Sequence, residues 1–225
     1  MNKRYIVGAI VAAVVVVVVL VAVSLAGGDS KTVSSISGVA ANEKELAGIP
    51  QKANVLGEAS APVTIVEYGD IACPGCQAVS ESIIPTVIDR YVRTGRVKME
   101  FRPIAFISQS SERGALGVEA AGLQDKMWTL VSLLYKNQGD ERDDWLSDEL
   151  LEEAAQKAGL DMDKWKTDYA GDAVAQTYFE RTNAASADGV DSTPTFIVKG
   201  PRGEERPDTL EGFAAAIEAV GPPAS

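Results

Sequence analysis

Histidine is absent from this 225-residue chain and cysteine occurs twice. A structural zinc site takes four nitrogen or sulfur ligands, so these residues cannot build one. Acidic residues are missing from the first 28 positions, where the only charged side chains are Lys3 and Arg4. The rest of the chain therefore carries 32 acids against 19 bases, a net charge of −13. Such a surface repels nucleic acid and anionic lipid headgroups and keeps a domain in solution, so nucleic acid is excluded as a partner. Internal repeats are also absent, which leaves one ordinary domain as the expected organisation.

Ile6 to Ala26 is a run of 21 residues without a charge, built mainly of Val and Ala. As a helix it would be about 31 Å long, enough to cross the bilayer core. Ser24-Leu25-Ala26 offers a small-x-small cleavage site, so a signal peptide is the alternative, but the apolar run exceeds the roughly 7 to 15 residues of such peptides. The expectation is an uncleaved membrane anchor over residues 1–27. Lys3 and Arg4 would stay in the cytoplasm, with everything beyond in a compartment where disulfides persist. Residues 28–48, rich in Ser, Gly, Ala and charge without an apolar period, read as a flexible linker. The domain proper is expected over 49–221, with a tail at 222–225.

The two cysteines form Cys73-Pro74-Gly75-Cys76, a spacing that random placement would give in roughly 1% of cases. Upstream, Ala61 to Tyr68 reads as a buried strand rich in β-branched residues; downstream, Gln77 to Tyr91 is helical in pattern. Pro74 suits the first helical position, which makes Cys73 the N-cap. A thiolate there accepts from the unpaired N–H groups of Gly75 and Cys76 and meets the positive end of the helix dipole, which lowers its pKa. Cys76, a turn further in, would wait as the resolving thiol. A structural disulfide across so short a loop would stabilise little. Inert reduced thiols would leave the helix-capping position unexplained.

Val97 to Arg102 alternates as a second strand. From about Ser108 to Ala187 the pattern is helical: one long amphipathic helix marked by Leu116, Ala120, Leu123, Met127, Leu130 and Leu134, a second capped by Ser147, then shorter ones. Trp128, Trp145 and Trp165 read as packing residues. Thr195 to Lys199 is a strand, Glu204 to Arg206 its short return, and a final helix would open on a capping box at Asp208 and Glu211.

With Leu46 to Pro50, Ala61 to Glu67, the Cys73-x-x-Cys76 motif and Gly189 to Phe196, the chain resembles the DsbA-like thiol:disulfide oxidoreductases, its membrane-tethered bacterial members above all. The resemblance implies an α/β fold of thioredoxin type with a helical domain inserted at about 108–187. It implies that Pro194 is cis and lies against the cysteines, leaving the backbone of Thr193 to pair with extended substrate. It places Glu67 as the buried acid beneath the site and, with no histidine in the chain, the candidate to take the proton of Cys76; on pattern alone Glu67 could equally be an edge-strand charge. Family oxidases often carry His at the position of Gly75, and Asp70 adds a nearby negative charge; both would temper oxidising strength.

The implied activity is disulfide introduction into unfolded or partly folded exported proteins by a monomer that needs no cofactor beyond Cys73 and Cys76 and binds no metal. Its implied reoxidant is a membrane quinone-linked thiol oxidase. A reductase, for apocytochrome c or surface thiols, and a tethered binding or chaperone module with little turnover are the alternatives.

Overall fold

A computed structural model describes residues 35–223. The 1–27 run lies outside them, and among the described residues no helix is long and apolar enough to cross a membrane. A six-stranded sheet is ordered β1-β2-β4-β3-β5-β6, where β1 is Gln51–Lys52, β2 Val55–Leu56, β3 Val63–Gly69, β4 Val97–Pro103, β5 Thr195–Gly200 and β6 Gly203–Glu205. β3 runs parallel to β4 and antiparallel to β5. It is thus central, and all its residues but Thr64 are buried, as its run of β-branched side chains predicts.

β3 leads through Cys73 into helix α2 (Pro74–Ser82). The predicted single helix to Tyr91 is interrupted: α2 stops at Ser82, α3 spans Ile84–Val87, and Ile88–Val92 continues as a π turn. Pro85, which has no N–H to give to the preceding turn, stands at the break.

After β4 the insertion comprises α4 (Gln109–Gly122), α5 (Met127–Lys136), α6 (Asp148–Lys157), α7 (Met162–Tyr169) and α8 (Asp172–Ala187). The long helix expected through Leu134 is therefore two. Asp125, at φ 58°, turns the chain between them. Its carboxylate receives Ala53 N–H at 2.8 Å and Lys52 Nζ at 3.0 Å, which ties the turn to the β1–β2 hairpin. Leu123, placed on the apolar face by pattern, is 53% exposed at that turn. Ser147 caps α6 as expected, its hydroxyl accepting from Leu150 N–H. The three tryptophans pack in the core: Trp128 lies edge-on to Phe101 at 5.9 Å and Trp165 stacks on Tyr169 at 5.0 Å, while Trp145 is 8% exposed.

The β5–β6 hairpin ends in α9 (Leu210–Val220), whose Phe213 meets Phe196 edge-to-face at 4.9 Å. The cap of α9 is Thr209, whose hydroxyl accepts from Gly212 N–H at 3.0 Å; the cap thus falls one residue beyond Asp208, and Gly212, which has no side chain, cannot complete the box proposed for Asp208 and Glu211.

The linker expected over 28–48 is also shorter than its composition suggests. Val39–Leu46 forms a helix, α1, with Asn42 and Leu46 buried. Asn42 Nδ2 donates to Thr129 O at 2.9 Å, and Asn137 holds Ser37 by its N–H and its carbonyl. With Leu46 its one buried apolar residue and hydrogen bonds doing much of the anchoring, α1 has little period to betray it.

Candidate active site

Cys73 is the N-cap of α2, in an extended conformation at φ −78° and ψ 118°, with Pro74 following as the first helical residue. Its sulfur accepts from Cys76 N–H at 3.4 Å. On its other side the thiol meets Thr193 O at 3.4 Å. Both cysteines are free thiols. The Cys73 pKa is lowered to about 6, first by a hydrogen bond from the Cys76 thiol, then, against the opposing cost of burial, by Thr193 and the amides of Cys76 and Gly75. The amide contribution matches expectation; the larger contribution of the second thiol does not show in a helix-terminus argument. Cys76 is fully buried, and burial drives its pKa well above the ordinary thiol value.

Thr193-Pro194 is a cis peptide. A Cβ built on Gly75 would stand 3.3 Å from Pro194 Cδ and 3.6 Å from Cys73 Sγ, so the proline, the glycine and the outer sulfur are in mutual van der Waals reach. Cys73, Pro74, Gly75, Cys76, Thr193 and Pro194 are thus brought together.

Glu67 belongs to the same site from below. It is 2% exposed, on the central strand between Phe101 of β4 and Phe196 of β5, and is not an edge-strand charge. Burial raises its pKa to about 8. Its charge in turn contributes to the raised pKa of Cys76, which places the two groups within electrostatic reach.

Asp70 is fully buried, and its carboxylate is occupied by backbone donors, Ala72 N–H and Phe106 N–H, each at 2.8 Å. The carboxylate therefore serves to fold the loop around the cysteines, and its own N–H reaches Cys76 Sγ at 3.5 Å.

Three residues escaped the sequence reading. Tyr135 Oη donates to Asp70 O at 3.3 Å, Gln138 Nε2 donates to the carbonyls of Ile71 at 2.6 Å and Cys73 at 3.2 Å, and Gln77 Nε2 donates to Tyr135 O at 2.8 Å. Tyr135 and Gln138 lie some sixty positions beyond the motif and carry no local pattern that points back to it.

An outer thiol ionised near neutrality and an inner thiol kept protonated, over a carboxyl group whose pKa lies within reach of pH 7, is a division that thiol:disulfide exchange requires and metal binding or simple packing does not. On this strand order, with the helical insertion after β4, these features define a thioredoxin-fold oxidoreductase. A family model described as Thioredoxin matches residues 51–219, and the chain belongs to that family. Within it the chain is a DsbA-like protein disulfide oxidoreductase. It is similar to the probable disulfide bond formation protein D of Bacillus cereus, 28% identical over 149 residues, 64% of this chain and 69% of that protein. Disulfide bond formation protein D of Bacillus subtilis is 33% identical over 103 residues, 45% of this chain and 46% of that one. Among solved structures, oxidised BdbD from Bacillus subtilis superposes with a TM-score of 0.67 at 23% identity, covering 85% of this chain and 97% of the other.

Proposed function

We propose that the chain introduces disulfides into exported proteins outside the cytoplasm, held at the membrane by residues 1–27. The observation that carries this direction is the Cys73 thiol, whose pKa is lowered to about 6. A thiolate favoured at neutral pH stabilises the dithiol protein relative to its disulfide, which makes the pair a disulfide donor. In the proposed cycle a substrate thiolate attacks Cys73 Sγ of the Cys73–Cys76 disulfide, and the S–S bond breaks toward Cys76. The departing Cys76 sulfur takes the proton of Glu67, which its raised pKa keeps largely protonated at pH 7. A second substrate thiolate then attacks the mixed disulfide and leaves with the new S–S bond, while Cys73 departs as the thiolate. Two electrons pass from substrate to protein. Run in reverse, the resolving step has Cys76 attack the mixed disulfide while Glu67, as carboxylate, takes its proton.

Extended substrate would pair with the backbone beside Pro194, and a membrane quinone-linked thiol oxidase would return the pair to its disulfide form. The test is thiol alkylation in intact cells. A donor is found mainly as the Cys73–Cys76 disulfide; a protein found mainly reduced would be a reductase, and the proposed direction would be wrong.

A further inference from the structure

Glu67 Oε1 is buried and has no hydrogen-bond partner among the described residues. A buried carboxyl oxygen in that state needs a polar neighbour. It borders a cavity of about 10 Å³, close to the room one water occupies. Ser80 of α2, Ser132 of α5, and Glu45 and Leu46 of α1 are among the residues that line it. Ser132 Oγ accepts from Lys136 Nζ at 3.1 Å, and Lys136 Nζ also donates to Glu45 Oε2 at 2.8 Å. Because the serine oxygen already accepts from the ammonium, its own proton is available to donate.

Exposure orders these groups into a path. Glu67 is 2% exposed, Ser132 6%, and the Lys136 and Glu45 side chains 18% and 19%. On the sulfur side of Glu67, by contrast, Cys76 and Asp70 are fully buried. We infer that Ser132, oriented by the Lys136–Glu45 ion pair, positions the proton path between Glu67 and solvent, through a cavity that α1 helps to line. The inference rests on Glu67 exchanging a proton with Cys76. When Cys76 leaves the broken disulfide it receives the proton of Glu67 in concert with delivery of a replacement proton from solvent by way of the cavity and the Ser132 hydroxyl, so the path acts on the step that frees Cys76. No electrons move in this refilling step. Ser132 and Lys136 are positioning residues, since neither touches sulfur or substrate.

The experiment mixes the oxidised full-length chain with dithiothreitol in a quenched-flow instrument between pH 5 and 9, in H2O and D2O, and reads Cys76 by alkylation. Thermal unfolding accompanies each variant. Ser132→Ala should slow the exchange roughly fivefold to 20-fold, a small part of what general acid–base transfer supplies, and raise the solvent isotope effect. Ser132→Thr, which keeps the hydroxyl, should return to within about twofold of wild type, and Lys136→Gln should resemble Ser132→Ala. In a Glu67→Gln background Ser132→Ala should add nothing. A Ser132→Ala rate equal to wild type while Glu67→Gln is slow would overturn the path but leave Glu67 in place. So would a Ser132→Ala loss of equal size in the Glu67→Gln background, which marks a packing effect. A Glu67→Gln rate equal to wild type would remove the role of Glu67 and the path with it.

Discussion

Replacing Gly75 by histidine tests the link between the helix terminus and the redox potential. In the wild-type site Cys73 falls from an ordinary thiol value of 9.0 to about 6. At pH 7 that shift favours the dithiol form by about 1.4 kcal/mol, equivalent to about 30 mV in a two-electron couple. Cys73 is only 6% exposed, so solvent does little to screen this contribution. A side chain at position 75 leaves the backbone 3.6 Å from Cys73 Sγ and 3.3 Å from Pro194 Cδ, so an imidazole fits beside the sulfur if the proline gives by a few tenths of an ångström. Lowering the Cys73 pKa by one further unit would add about 1.3 kcal/mol, again close to 30 mV. The wild-type potential is expected between about −120 and −230 mV, with Gly75→His more oxidising by tens of millivolts. Thiolate absorbance against pH and equilibration with glutathione measure both quantities, and Gly75→Ala controls for contact with Pro194. A potential that stays fixed while the Cys73 pKa falls, or an alanine variant that shifts as far as histidine, would refute the reasoning. A wild-type value near −270 mV, that of thioredoxin, would point to a reductase.

Cys73→Ser should abolish exchange, whereas Cys76→Ser should accumulate mixed disulfides through Cys73 on non-reducing gels; partners trapped instead through Cys76 would reverse the assignment. Glu67→Gln should slow the step at Cys76 more than the attack at Cys73, and single-turnover rates that match wild type from pH 5 to 8 would reduce Glu67 to a structural residue. The same variant has a stability signature. Glu67 rises from 4.5 to about 8 in a setting shared with Cys73, Cys76, Asp70 and Tyr135, so the folded protein holds a proton that the unfolded chain has lost across this window. Its stabilising contribution is complete below pH 4.5 and disappears as pH rises through 8, so Glu67→Gln should gain on wild type by something on the order of 4 kcal/mol from pH 4.5 to 8. Urea titrations of the reduced proteins check it, and a difference constant with pH would contradict the buried charge. A soluble form beginning at residue 49 should lose roughly 2 to 4 kcal/mol relative to one beginning at residue 35, because Leu46 and Asn42 leave the core. Equal melting temperatures would make α1 an ornament of the fold.

Much of the site could be read from neighbouring letters. Pro74 announces the helix start and so the cap role of Cys73, and the β-branched run Val63 to Val66 ahead of Glu67 announces a buried strand, though not that the strand is central. Elements whose cause is tertiary could not be read that way. The break at 123–126 is imposed by Asp125 reaching the β1–β2 hairpin, and α1 is held by partners near residues 129 and 136. Two-residue strands such as β1 and β2 have no period to detect. The contribution of the inner thiol to the acidity of the outer one depends on the rotamers of both, which spacing alone does not set.

The carbonyl of Cys73 is held by Gln138, and the carbonyl of Tyr135 by Gln77, so the active-site loop and the end of α5 are laced together in both directions. The loop cannot open by itself. In terms of local unfolding, the amides of residues 70–77 and of the last turn of α5 belong to one cooperative unit, and they should share a single opening free energy in hydrogen exchange. The insertion is then part of what keeps the nucleophile poised, and loosening its packing would register first as lost protection around Cys73.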